Sequence, residues 1–124
     1  MVFISDTVLD AACNVLVNNA DRVDICSQEP ANLTEATSTY TVGNKTSGIS
    51  FGSPANGDTS GRKTTLGAIT GGTVTDDAAT AAYWAASDAG TELLVTQSIS
   101  SPQTVYTANP WSLGAIDVEF PDPS

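Results

Sequence analysis

The spacing of apolar positions changes once along the chain, near residue 20. Before it, "DTVLDAACNVLVNN" (6–19) places Val8, Leu9, Ala12, Val15 and Leu16 on one face of a helix, with Thr7, Asp10, Asn14 and Asn18 opposite. Ser5 suits the N-cap, Asp6 suits the positive end of the first turn, and Asn18-Asn19 suit the exit. A single apolar stripe needs one partner surface, so this helix is expected to lie over a sheet.

After it the period drops to two. "RVDIC" (22–26) sets Val23 and Ile25 against Arg22, Asp24 and Cys26, and "STYTV" (38–42) repeats the alternation through Tyr40 and Val42. "ISF" (49–51) is a fragment, and "GSPANGDTSGR" (52–62) has the composition of a loop. Gly71-Gly72 between "KTTLGAI" (63–69) and "TVT" (73–75) predicts a hairpin, and "TAAYWAASDAGTELLVTQSI" (80–99) predicts a second one about its polar centre. "TVYT" (104–107) and "SLGAIDVEF" (112–120) complete the set before the short tail 121–124. In the last strand Ile116, Val118 and Phe120 share a face; Leu113 has the wrong parity, so a β-bulge at Gly114 is expected to restore the register.

Seven or eight short strands rich in Thr and Val, with one helix, predict a mainly β fold. The expected form is an antiparallel β-sandwich or jelly-roll-like barrel with the N-terminal helix packed against a sheet. The 124 residues suffice for one core and contain no linker long enough to divide them, so residues 1–124 read as a single domain.

Charge narrows the range of partners. Four basic residues (Arg22, Lys45, Arg62, Lys63) face fourteen acidic ones, a net charge of −10. Nucleic acid is bound largely by Lys and Arg neutralising phosphates, and anionic lipid by the same means, so neither is an expected partner. The acidity favours solubility and keeps copies apart. No apolar run is long enough to span a bilayer. "MVFISDTVLDAAC" has no basic stretch ahead of an apolar one, so the protein is expected to remain where it is made, or to leave within an assembly. Cys13 and Cys26 are accordingly expected to be reduced, structural thiols rather than a disulfide.

Candidate chemistry is sparse. Histidine, the commonest general base and metal ligand, is absent. Ser60-Gly61-Arg62-Lys63 spells the acyl-serine pattern S-x-x-K, but in a Gly-rich loop without its companion motifs. Asp76, Asp77, Asp88, Glu92, Asp117 and Glu119 offer carboxylate pairs, though acids on a sheet usually solvate its outer face. Asn56, Asp58 and Ser60 are spaced like calcium ligands but lack the closing bidentate Glu. Asn32 and Asn44 head glycosylation-type triplets that arise often by chance. The expectation is therefore no catalytic residue, no metal and no cofactor.

The aromatics offer an alternative use. Tyr83 and Trp84 must face opposite sides of a strand, and Ala82 and Ala86 leave room beside Trp84, which is expected to anchor the core. Tyr83, Tyr106 and Trp111 are then the candidate interface aromatics, or a stacking platform for a carbohydrate.

Several segments carry a resemblance. "FISDTVLDAACNVLVNNADRVDICSQEP", "EATSTYTVGNKT", "GDTSGRKTTLGAIT" and "AAYWAASDAGTELLVTQSI…SLGAIDVEFPDP" together resemble small structural proteins of tailed bacteriophages and prophages, most like capsid decoration (cement) proteins or head or tail accessory proteins. The resemblance implies a non-enzymatic virion component, assembled in the host cytoplasm and seated on the capsid exterior. Its implied partners are the major capsid protein and other copies of itself, with a homotrimer as the working form. A tail or baseplate adaptor and a carbohydrate-binding module are the alternatives.

Overall fold

The computed structural model describes residues 3–123; Met1, Val2 and the last residue of the expected tail, Ser124, lie outside the described residues. Strand accounts for 46% of the chain, so the fold is mainly β, as the spacing predicts. One α-helix, α1 (Asp6–Asn19), precedes nine strands among the described residues. These are β1 (Arg22–Cys26), β2 (Thr41–Lys45), β3 (Ala55–Asn56), β4 (Arg62–Leu66), β5 (Ile69–Val74), β6 (Ala79–Asp88), β7 (Glu92–Val105), β8 (Trp111–Leu113) and β9 (Ile116–Phe120). A six-stranded sheet, in the order β7-β6-β1-β2-β5-β8, curls into a half-barrel, and a three-stranded sheet, β3-β4-β9, faces it. Every pairing is antiparallel.

The core lies between the sheets. Ile25 pairs with Trp84 and Val23 with Ala86 across β1 and β6, and Leu66, Phe51, Val118 and Trp111 close over them. The alternation in "IDVEF" holds, with Val118 buried and Asp117 exposed, and the 80–99 hairpin forms as β6 and β7.

Helix α1 packs against β4 and β9 through only part of the expected stripe. Leu9, Cys13 and Leu16 are buried, whereas Val8 is 59% and Val15 44% exposed. The buried stripe runs through Leu9, Cys13, Leu16 and Ala20, and on its flank Arg62 Nε of β4 lies 2.6 Å from Asp10 Oδ1, so the helix is turned towards Asp10 and away from Val8 and Val15. The first turn is capped as expected, by Ser5 accepting from the Val8 N–H.

Three local expectations are corrected. Residues 38–40 are not strand. Asn32 Oδ1 accepts from the Glu35 N–H and Glu35 Oε1 accepts from the Ala31 N–H, a reciprocal cap that starts a helical turn. That turn becomes a π-helix over Glu35–Thr39, closed by the Tyr40 N–H donating to Glu35 O, and β2 starts only at Thr41.

Gly71-Gly72 is not a hairpin turn. Both residues lie inside β5, where Gly71 takes φ +69° and the register against β8 shifts between Ile69 and Gly72. Gly72 lies directly under the Trp111 indole, and a Cβ there would stand 2.2 Å from its Cε2. The paired glycines therefore mark a bulge and a close approach.

Nor does Gly114 form a bulge. The chain breaks at Gly114-Ala115, where it leaves β8 in one sheet for β9 in the other, and this crossing accounts for the wrong parity of Leu113.

Candidate functional site

Of the adjacent aromatics in β6, Trp84 is fully buried in the core, as expected. Tyr83 faces the other side, but that side is also covered. The segment 27–40 folds over it, and Tyr83 packs with Tyr40 and Leu93 against Cys26, Ala36 and Ala85. Trp111 is only 5% exposed, and its Nε1–H donates to Thr73 O at 3.0 Å. Tyr106, in the turn after β7, is 49% exposed. Of the three candidate interface aromatics, Tyr106 alone stands outward. Trp111 and Tyr83 are held by their own domain, because Gly43 and Gly72 leave room for the indole and the π-helical segment roofs the tyrosine. A three-ring stacking platform is not formed.

The same covered face holds an ion pair that alternation alone assigns to solvent. Asp24, 1% exposed, accepts from Arg22 at Nε (2.8 Å) and at a terminal guanidinium nitrogen (3.0 Å). Its second oxygen also accepts from the Thr41 hydroxyl at 2.7 Å. The same guanidinium nitrogen reaches Thr37 O at 3.5 Å, so the network joins β1 to the π-helical segment. The shared parity of Arg22 and Asp24 is the only signal of it in the sequence.

Both thiols are free and buried, Cys13 on the inner face of α1 and Cys26 beneath Ala36, whose carbonyl accepts from its Sγ–H at 3.6 Å. Burial pushes Cys26 up to about 12 and raises Cys13 as well, which disfavours the thiolate at both.

The loop 57–61 is filled by the chain's own groups. Asn56 Oδ1 accepts from Arg62 at 2.6 Å, Asp58 Oδ1 binds Lys63 Nζ at 2.7 Å, and Ser60 Oγ accepts from the Asp122 N–H. The three oxygens spaced like calcium ligands are thus each taken by an internal donor. Lys63 also binds Asp117, at 2.9 Å, which ties it to β9 rather than poising it as a base for Ser60. Glu119 accepts from the backbone N–H groups of Asp58 and Thr59. Among the described residues no cluster of acids, cysteines or histidines is arranged to hold a metal.

This cluster makes a pH prediction. The Thr65 hydroxyl and the Lys63 ammonium hold Asp117 down at about 2, from an ordinary 3.8. A carboxyl lowered on folding stabilises the fold above its unfolded value and loses that contribution as pH falls through its folded value. Asp117→Asn is therefore expected to lower the melting temperature at neutral pH and to flatten its fall between about 4 and about 2. Parallel acid melting curves for the two proteins would contradict the assignment.

One depression, about 430 Å³, is an open hollow between the start of α1 and Asp122-Pro123. A second, about 370 Å³, lies between Ser98–Ser100 and Leu113–Ile116; a third, about 70 Å³, is apolar and lies beside Trp111. None gathers a nucleophile, a base and an oxyanion donor. No family model, curated protein or solved structure matches the chain. What the geometry offers is surface: the exposed rings of Phe3 and Tyr106, two outward valines on α1, and a charge distribution of nearly one sign.

Proposed function

We propose that this chain is a non-enzymatic structural protein of a bacteriophage virion, a decoration protein bound to the outside of the capsid lattice. The observation that carries the reading is the disposition of charge. Arg22, Arg62 and Lys63, three of the four cations, are bound by the chain's own carboxylates, so the outward-facing charge is overwhelmingly acidic. Such a surface repels nucleic acid and keeps a protein made in many copies dispersed until it meets its lattice. The resemblance of the four segments to small phage structural proteins supplies the partner: a major capsid protein, met through neutral or basic ground.

Quantitative mass spectrometry of purified particles tests this. The chain is expected in numbers comparable to the capsid protein. A small fixed copy number would place it in the tail or baseplate instead, and its absence from particles would end the virion role.

A further inference from the structure

The acidic surface has one long interruption. From Leu93 to Ile116 not one residue is charged, and no other stretch between consecutive charged residues of the chain is as long. The fold turns this stretch into one surface. It comprises most of β7, the turn that carries Tyr106, all of β8 and the link to β9. β7 and β8 are the two edges of the six-stranded sheet, and the curl of the half-barrel brings them together: Ile99, Gln103 and Val105 of β7 line the same small apolar cavity as Trp111 and Leu113. Along the outside, Ser100–Thr104, Tyr106, Ser112 and Gly114-Ala115 are exposed. Carboxylates stand only at its margins: Glu92 precedes it in the chain, Asp77 accepts from the Thr107 N–H and hydroxyl, and Asp117 binds Lys63 and Thr65.

We propose that this strip is where copies of the chain meet one another. The choice of a second copy rests on charge. A basic partner gains nothing from a surface without carboxylates and finds better ground elsewhere on this protein. Two copies that each carry −10 repel everywhere except where both surfaces are neutral, and the strip is the place where they approach at least cost. Sheet edges are usually guarded by charge, and this one is guarded only in its backbone. Four residues of β7 (99–102) bulge opposite the single residue Ala82, and Pro102 has no N–H to donate. Those features block unlimited strand addition while leaving side chains free to pack, which suits a closed assembly. Tyr106 stands at one end of the exposed run and the 370 Å³ hollow beside Ile99 at the other, so a head-to-tail contact places the ring of one copy in the hollow of the next.

The test is light scattering of the full chain after size exclusion, across protein concentration and salt. The expected mass is a multiple of 12.7 kDa, and added salt strengthens the assembly by screening repulsion outside the strip. The double variant Ser101→Glu with Thr104→Glu is expected to run as a monomer with an unchanged circular dichroism spectrum and melting temperature. Asn18→Glu, on the exposed side of α1, should assemble like the unaltered chain. A monomer under all conditions overturns the proposal, as does an assembly that survives both glutamates or that dissolves in salt. The outcome is independent of the virion role: monomers that coat particles would sink this inference alone, and oligomers absent from particles would sink only that reading.

Discussion

Replacing Trp84 by alanine is expected to cost about 3–5 kcal/mol, the range for removing a fully buried large aromatic side chain. The residue is 0% exposed, lies opposite Ile25, and is the largest of the fully buried side chains. A domain of this size has a total stability on the order of 5–15 kcal/mol, so the variant loses a large part of it. The melting temperature should fall on the order of 10–25 °C. Trp84→Phe separates volume from polarity. The indole Nε1 is buried with no hydrogen-bonding partner, so phenylalanine forfeits only part of the ring and no hydrogen bond. It should therefore retain most of the stability. Equal losses in the two variants, measured by thermal or urea unfolding, would mean that Trp84 is not the packed centre described here.

The second large effect concerns Arg22 and Asp24, and the two partners are not equivalent. Arg22 is 22% exposed and Asp24 1%. Removing the carboxylate leaves a guanidinium that can turn towards water. Removing the guanidinium leaves a carboxylate sealed under the π-helical segment with only Thr41 to bind it. Arg22→Met is expected to destabilise by about 3–5 kcal/mol, the range for an uncompensated buried charge, and Asp24→Leu by less. The double variant should cost less than the sum of the singles, because it leaves no orphaned charge. Urea unfolding of the four proteins checks this; strict additivity would show that the pair is not coupled.

The sequence made some of this legible and hid the rest for identifiable reasons. Period-two stretches exposed β1, the β6–β7 hairpin and β9, because a strand with one face in the core must alternate. The helix itself was readable from its cap and stripe. Its rotation was not, since the partners it packs on, and the Asp10–Arg62 contact at its flank, join residues fifty-two apart in the chain. The alternation of "STYTV" hides the helical turn that the Asn32–Glu35 cap sets before it. Gly71-Gly72 is a good hairpin signal, yet it marks a backbone passing beneath an indole supplied by Trp111, a long-range contact with no local trace. The same distance effect governs the candidate surface residues. Trp111 and Tyr83 read as free aromatics only while the glycines and the segment 27–40 that cover them remain unplaced. Their burial leaves Tyr106, alone of the three candidates, facing outward.

The central claim is adhesion to a protein lattice without chemistry, and imaging of heads reconstituted with the purified chain tests it most directly. Capsids lacking the polypeptide, incubated with it and reconstructed, are predicted to gain density on their outer face at recurring lattice positions, and to resist heat better than bare heads. Bare lattices after saturating incubation, or density confined to the portal or tail, would contradict the account.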